Sequence, residues 1–190
     1  MKSVAALVLA AGASRRLGEL KQLARLNEET LVERAARICS DAECSPVVIV
    51  LGASADEVRE RCSFGDAVVV TNSEWVEGMG SSVRLGVRAM PPNVNGCVIT
   101  TCDQPAVTAE HLRELMASDE VMASAYAGRH GVPAYFPREM FAELMHLRGD
   151  AGARELLRDA KSLELPNGEL DVDTPADLKR VQELFGRHLT

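Results

Sequence analysis

An uninterrupted apolar run near the start of the chain constrains the fold more than any other sequence feature. Residues 4–10 read Val-Ala-Ala-Leu-Val-Leu-Ala and contain no polar side chain. A strand built from them has no face that suits water, and strands buried on both faces are typical of parallel sheets covered by helices. The run therefore predicts a central strand of an α/β fold.

Further strands and helices alternate along the chain. Buried strands are predicted at 46–51, 67–70 and 96–101, and helices at 30–41, 55–62, 81–90 and 108–117. Beyond residue 120 we expect one or two strands within 121–135, helices at 138–147 and 151–160, short strands at 162–165 and 170–172, and a last helix at 175–185. The repeated strand–helix order predicts a mostly parallel, doubly wound sheet with helices on both faces, within a single domain spanning residues 1–190.

The charge balance argues against a nucleic-acid partner. The chain has 21 basic and 28 acidic residues, a net charge of −7, and only 4% aromatic residues. A polyanion-binding protein usually presents a basic surface, and binding by base stacking needs aromatic side chains. No apolar segment reaches the roughly 18 residues that span a bilayer, so we expect no membrane partner.

The cysteines indicate a reducing compartment. There are five, an odd number, and no C-x-x-C pair or zinc-like spacing with the four histidines occurs. Free thiols in the cytoplasm are the simplest interpretation. Lys2, the apolar run and Ala11-Gly12-Ala13 also imitate a short signal peptide, but the odd cysteine count argues against export.

The loop after the first strand combines small and basic residues. Ligands of such sheets bind at the carboxyl ends of the strands, where amides of small residues can approach phosphate oxygens. The loop contains Ala11, Gly12, Ser14, Arg15, Arg16 and Lys21. Its spacing matches neither a Walker loop nor G-x-G-x-x-G. A triphosphate cradle and an ordinary loop with solvated basic residues explain the pattern equally well.

Carboxylates follow two other segments. Asp103 comes directly after the fourth predicted strand, where its hard oxygens would suit Mg²⁺, although an Asp before Pro105 can also serve only a turn. Asp171 and Asp173 point to the same side of an extended segment, so either could supply a second metal ligand. Residues 174–177 are explained by the start of a helix.

Glycine-rich segments offer further binding surfaces. Ser81 or Ser82 can cap the helix that follows Gly78-Met79-Gly80, and the amides of its first turn could bind a base or a phosphate. Capping alone explains the serines equally well. Glycine-rich corners at 128–133 and 149–154 could shape an acceptor pocket.

Together these segments resemble the MobA-like nucleotidyltransferase family, most closely its molybdenum cofactor cytidylyltransferase branch. Residues 9–21 are similar to L-A-A-G-x-S-x-R-M-G-x-x-K, with Leu17 in place of the Met, and 78–82 are similar to G-M-x-x-S. Residues 103–105 match D-Q-P, and blocks at 131–136, 149–154 and 171–178 follow in the family's order. The resemblance therefore covers nearly the whole chain.

The resemblance implies a Rossmann-like three-layer nucleotidyltransferase fold and a Mg²⁺-dependent reaction. An acceptor phosphate attacks the α-phosphorus of a nucleoside triphosphate, and pyrophosphate leaves. The implied catalytic residues are Arg15, Lys21 and Asp103, and the implied metal ligands are Asp103 and Asp173, with Asp171 as the alternative to Asp173. The implied nucleotide-binding residues are Ala11, Gly12, Ser14, Arg15, Lys21, Gly80, Ser81 and Ser82.

The form of the first block favours CTP over GTP as the substrate. Ala10-Ala11-Gly12 resembles the CTP-using branch, whereas the GTP-using branch tends to show A-G-G. The expected acceptor is molybdenum-bearing molybdopterin, with a molybdoenzyme as recipient of the product. The alternatives are a guanylyltransferase, a sugar-phosphate nucleotidyltransferase and a non-catalytic cofactor-delivery protein. The chain departs from the family at 22–26, usually more apolar and ending in Pro, and at 27–30, usually a Gly-Lys-Thr-like turn.

Overall fold

A twisted sheet forms the centre of the molecule. The computed structural model describes residues 2–14, 16–151 and 153–186. In these ranges the strands are β1 (Val4–Ala10), β2 (Arg25–Leu26), β3 (Glu29–Thr30), β4 (Val47–Leu51), β5 (Val68–Thr71), β6 (Gly96–Thr101), β7 (Met122–Tyr126), β8 (Arg129–Pro137) and β9 (Lys161–Glu164). The helices are α1 (Leu31–Asp41), α2 (Ala55–Arg61), α3 (Met79–Ala89), α4 (Ala109–Met116), α5 (Phe141–His146), α6 (Arg154–Leu157) and α7 (Pro175–Phe185).

The sheet is mostly parallel, which confirms the predicted fold class. Within the described residues its seven strands lie in the order β5-β4-β1-β6-β8-β7-β9. β8 runs antiparallel to both of its neighbours, and the other pairings are parallel. β2 and β3 form a separate two-residue hairpin.

The apolar run at the start of the chain is β1, and its side chains enter two different cores. Ala6 and Val8 pack on one face of the sheet, whereas Ala5, Leu7 and Leu9 pack on the other. All seven residues of the strand are buried. This explains why the run contains no polar residue.

The order of the strands creates a crevice beside β1. The chain passes from β1 outward to β4 and β5, and then crosses to β6 on the opposite side of β1. The connections leaving β1 and β6 therefore diverge at the carboxyl ends of these strands, the usual place for a ligand in a doubly wound sheet.

Two predicted elements differ from the structure. Residues 170–172, predicted as a strand, form no ladder: the segment crosses the end of β6, where the Val172 amide donates to the Asp103 carbonyl at 3.0 Å. The helix predicted at 151–160 is reduced to α6, after a short 3-10 turn at Gly149–Ala151. The β2–β3 hairpin was not predicted; its turn contains Asn27 with a positive φ of 60°.

The outer edge of β5 is covered by a side chain of α2. The Arg59 guanidinium donates to the Val69 carbonyl at 3.0 Å and to the Thr71 hydroxyl at 3.2 Å. Val68, at the start of the same strand, is 41% exposed.

No helix in the described part of the chain is long and apolar enough to cross a membrane.

Candidate active site

A buried glutamine shapes the loop after β1. The Gln22 side chain is fully buried, and its amide donates to the carbonyls of Ala10 and Gly12, both at 2.8 Å. The Ser14 hydroxyl accepts a hydrogen bond from the Lys21 amide at 2.9 Å. These bonds close the loop on itself and fix Lys21 at the end of the sheet. The polar residue at position 22, a departure from the family's apolar run, thus has a structural role.

The Lys21 ammonium lies between two carboxylates from distant parts of the chain. Nζ is 2.6 Å from Asp103 Oδ2, just after β6, and 3.0 Å from Asp173 Oδ1, just before α7. Burial lowers the pKa of Lys21, but the charges and hydrogen bonds of Asp103 and Asp173 outweigh this and raise it overall. Lys21 is therefore held as a cation between the two side chains.

Asp173 and Asp171 differ in their surroundings. Asp173 also pairs with Arg16, whose Nη2 lies 2.6 Å from Oδ2. For Asp171, burial raises the pKa to about 6, and the charges of Asp103 and Asp173 act in the same direction. Of the two carboxylates, Asp173 is the one that pairs with basic side chains, which makes it the stronger candidate for a metal ligand.

The chemistry of this cluster fits a divalent cation. Asp103 and Asp173 already converge on one positive charge, and their oxygens are the hard ligands that Mg²⁺ prefers. Across the described ranges no group of three or more His, Cys, Asp or Glu side chains is placed to hold a metal. Mg²⁺ commonly completes its shell with substrate phosphates and water, so a pair of carboxylates suffices.

A cavity of about 510 Å³ opens beside the loop after β1. We call it the nucleotide cavity, after the ligand that the sequence resemblance predicts for this loop. Its wall includes Ala11, Gly12, Lys21, Trp75 and Ser82. A Cβ atom added to Gly12 would meet no atom within 4 Å, so this glycine leaves the cavity open.

The serines at the start of α3 are tied to a residue that the sequence analysis did not single out. The Asn72 amide donates to the hydroxyls of Ser81 and Ser82 at 2.8 and 2.9 Å, and Ser81 donates to the Gly78 carbonyl at 2.8 Å. Gly80 packs against the backbone of Arg148, where an added Cβ would lie 3.0 Å from the amide nitrogen. Nucleotide contacts by Gly80 and Ser81 stay a prediction. The position of Asn72 directly after β5 is the signal that could have revealed it.

A second cavity of about 610 Å³ adjoins the first. The two share four residues: Met79, Thr101, Asp103 and Asp150. The second cavity is also lined by Tyr126, Arg129, His130, Arg154, Arg158 and Asp171, among others. Asp103 thus belongs to the boundary between two adjoining spaces.

The floor of the second cavity is built on the segment that carries Asp103. Gln104 donates from its amide to the Tyr126 hydroxyl at 3.3 Å, and that hydroxyl donates to the Val132 carbonyl at 3.0 Å. The Arg129 guanidinium lies over the Tyr126 ring, 5.3 Å from its centroid. Among the described residues, Arg129, Arg154 and Arg158 form no ion pair with a carboxylate within 4.0 Å. Their positive charges are therefore available to a ligand.

Other reactive residues have structural surroundings. Cys102 is buried, and burial together with the Asp103 charge raises the pKa of its thiol, which disfavours the thiolate that a nucleophile needs. His111 is buried and bonded through Nε2 to the Ser124 hydroxyl at 2.7 Å. Arg15, predicted to act in catalysis and nucleotide binding, lies outside the described residues.

A doubly wound sheet with a lysine and two carboxylates at its carboxyl edge defines an enzyme of the nucleotidyltransferase class. The model of the MobA-like NTP transferase domain matches residues 6–165. The chain therefore belongs to the MobA-like NTP transferase family, and it is related to the molybdenum cofactor cytidylyl- and guanylyltransferases.

The relatives of the chain have different recorded functions. It is 32% identical to nicotine blue oxidoreductase of Paenarthrobacter nicotinovorans, over 96% of this chain and 95% of that protein. It is 24% identical to molybdenum cofactor cytidylyltransferase of Escherichia coli K12, over 97% and 98%. Rv0371c of Mycobacterium tuberculosis H37Rv, solved in complex with manganese, superposes with a TM-score of 0.80 and 28% identity over 96% and 99% of the two chains. That complex is consistent with a divalent metal in this fold.

Proposed function

We propose that this chain acts in the cytoplasm as a cytidylyltransferase that moves CMP from CTP to molybdenum-bearing molybdopterin and releases pyrophosphate. One observation carries the proposal: Asp103, which pairs with Lys21, lies on the boundary between two adjoining cavities. A transfer between two substrates needs such a boundary, since the reacting groups must meet there.

The reaction requires little covalent participation by the protein. An oxygen of the acceptor phosphate forms a bond to the α-phosphorus of CTP, and the bond from that phosphorus to the oxygen bridging to the β-phosphorus breaks, so pyrophosphate leaves. Such transfers are accelerated mainly by alignment and by neutralisation of charge. When bound, Mg²⁺ would be held by Asp103 and Asp173 and would supply positive charge to the phosphate oxygens.

The protein's own basic residues would hold the triphosphate. The Lys21 ammonium is fixed by its backbone bond to Ser14 and by its two carboxylates, so its charge is in place before a substrate arrives. Gly12 leaves room for phosphate groups to approach the backbone. We expect Arg15 to add a further positive charge to the same loop.

The choice of CTP follows the Ala10-Ala11-Gly12 pattern, which resembles the CTP-using branch of the family. Ala11 lines the nucleotide cavity, and its methyl group packs toward Gly52, where an added Cβ would lie only 2.8 Å away.

The second cavity suits an anionic acceptor. Arg129, Arg154 and Arg158 would bind a phosphate group well because guanidinium groups recognise phosphate through paired hydrogen bonds. Molybdopterin carries such a phosphate, and a molybdoenzyme would receive the product. The same cavity is also lined by four carboxylates, Asp103, Asp150, Glu155 and Asp171, of which Asp103 belongs to the site proposed for the metal.

The test is pyrophosphate release with CTP, GTP, ATP and UTP, each with and without molybdenum-loaded molybdopterin. We expect release only with the acceptor, and fastest with CTP. Asp103→Asn should lower kcat/KM by roughly 10²–10³-fold, because it removes charge at the reacting centre. The matched control is Asp119→Asn, whose side chain is 99% exposed and far from the cavities; its activity should equal that of the unsubstituted protein.

Two results would overturn the proposal. No release with any triphosphate, although CTP and molybdopterin both bind, would favour a delivery protein instead. Fastest release with GTP would leave the transferase chemistry in place and reject the cytidine preference. The name of the P. nicotinovorans relative makes a measurement of oxidoreductase activity a useful parallel assay.

A further inference from the structure

A buried arginine joins the walls of the two cavities. Arg84, on α3, has a side chain that is only 8% exposed. Its Nη1 and Nη2 atoms donate to the two carboxylate oxygens of Glu77 at 2.9 and 2.8 Å, and Nη1 also donates to the Leu147 carbonyl at 2.6 Å. We call this set of contacts the Arg84 clamp.

The clamp connects two segments that are distant in sequence. Glu77 ends the short 3-10 turn at Trp75–Glu77, and Trp75 and Val76 line the nucleotide cavity. Leu147 follows α5 and leads directly to Asp150, which lines both cavities. One guanidinium group therefore connects the turn at Trp75–Glu77, in the wall of the nucleotide cavity, to the segment that leads to Asp150, which lines both cavities.

The backbone contacts around the clamp are equally close. An added Cβ at Gly78 would lie 2.5 Å from the carbonyl carbon of Gly149 and 2.6 Å from Asp150 Oδ1. One at Gly80 would lie 3.0 Å from the Arg148 amide nitrogen. The start of α3 and residues 147–150 are thus interlocked, and a small displacement of either segment changes the shape of both cavities.

We infer that Arg84 is a positioning residue. It holds the turn at Trp75–Glu77, which lines the nucleotide cavity, at a fixed position relative to residues 147–150, so that the two substrates meet in an orientation in which they can react. The alignment part of this inference rests on the proposed function. A bidentate arginine–carboxylate pair fixes both distance and orientation. A displacement of about 1 Å in a transfer reaction can cost up to about 10² in rate.

Arg84→Gln is the principal test, with Arg88→Gln as the matched control. Arg88 lies one turn further along α3 and is exposed. We expect Arg84→Gln to lower kcat about tenfold or more while changing the Kd of CTP less than about threefold, because Lys21, Asp103 and Gly12 remain in place. Arg84→Lys should recover only part of kcat, since lysine cannot form the paired bonds. Arg88→Gln should match the unsubstituted protein.

A second, less disruptive variant keeps the inference testable if Arg84→Gln fails to fold. Glu77→Gln leaves Arg84 and its bond to Leu147 in place and should shift kcat in the same direction by a smaller factor. Hydrogen exchange of residues 147–150 should be faster in Arg84→Gln than in Arg88→Gln, whatever the activity. An unchanged kcat per folded molecule in Arg84→Gln, or unchanged exchange at 147–150, would overturn the inference. Absence of turnover in the unsubstituted protein would instead reject the proposed function, and hydrogen exchange alone would then decide whether the clamp fixes the turn.

Discussion

At the scale of single residues, we expect ligand binding at the site to depend on positions where a single added methyl group would fill part of the cavity. Gly12 is the clearest, because it lines the nucleotide cavity and has open space where a Cβ would project. The packing of the protein therefore does not require a glycine here, and we propose that its lack of a side chain makes room for the ligand.

Gly12→Ala should therefore weaken binding without weakening the fold. The added methyl group would occupy cavity volume beside Lys21, and we expect the Kd of CTP to rise about tenfold, equivalent to about 1.4 kcal/mol. Isothermal titration with CTP and Mg²⁺ measures the first effect, and the midpoint of thermal unfolding the second. An unchanged Kd would show that phosphate groups do not approach this part of the loop.

The sequence identified the charged residues of the site better than the polar residues that hold them. Lys21, Asp103 and Asp173 were predicted together, and the structure places them in one cluster. Gln22 and Asn72 were not predicted to have such roles, because an amide side chain acquires its partners only when distant segments come together. Amides carry no charge pattern that marks them in a sequence.

At the scale of secondary-structure elements, the junction of β6 and β8 leaves no room for a side chain. At Gly96 an added Cβ would lie 2.7 Å from the Phe136 carbonyl oxygen and 2.6 Å from the Tyr135 hydroxyl, and both residues are fully buried. Gly96→Ala should lower the free energy of unfolding by about 1–3 kcal/mol, the usual cost of overpacking. Denaturant unfolding measures this, with Gly12→Ala as the control glycine; equal stabilities would contradict the strand packing.

The contact of α4 with β7 should make stability depend on pH. His111, on α4, is bonded to Ser124 of β7, which in turn donates to the Pro133 carbonyl of β8 at 2.6 Å. Burial lowers the pKa of His111, so the folded protein favours the neutral ring. Below the ordinary histidine pKa of about 6.5, the unfolded chain therefore binds more protons than the folded protein does. The free energy of unfolding then falls as the pH drops through that value.

The expected result is a steeper loss of unfolding free energy between pH 7 and 5 in the unsubstituted protein than in His111→Gln. Chemical denaturation at each pH provides the measurement. His146→Gln is the control, because His146 is exposed on α5. If both variants kept the full pH dependence, another group would have to be responsible.

The elements predicted most accurately are the buried strands, whose sequences are largely apolar. β1 and β6 match their predicted ranges because their apolar runs leave no alternative. Residues 170–172 alternate like a strand, but the end of β6 offers them a single backbone bond from Val172 to Asp103 and no neighbouring strand to pair with. A local pattern cannot show whether a partner strand exists.

At the scale of the whole molecule, ligand binding should be visible as stability. A ligand that binds only the folded state adds about 2.7 kcal/mol at a concentration of 100 times its Kd. CTP with Mg²⁺ should therefore raise the unfolding midpoint, and removal of the metal with EDTA should abolish most of the shift. Asp103→Asn should show little shift, and Asp119→Asn the full one. A full shift in EDTA would reject a metal at Asp103 and Asp173.

The overall charge of the chain is a poor guide to its ligand. With a net charge of −7, the molecule is predicted to avoid polyanions in general. Four of its basic side chains nevertheless lie where they would meet phosphate: Lys21 beside one cavity and Arg129, Arg154 and Arg158 around the other. The sequence shows how many charges there are, and only the fold shows where they lie.

The arginine that lies along β5 also bears on how the protein behaves in concentrated solution. An uncovered outer strand can act as a template on which further copies add, strand by strand, toward fibrillar aggregates. Because the Arg59 guanidinium binds the Val69 carbonyl and brings a positive charge to the valine-rich strand, an incoming strand would lose a hydrogen bond and face a charge. The Arg59 side chain, which binds the outer edge of β5, would thus help to keep the protein from aggregating.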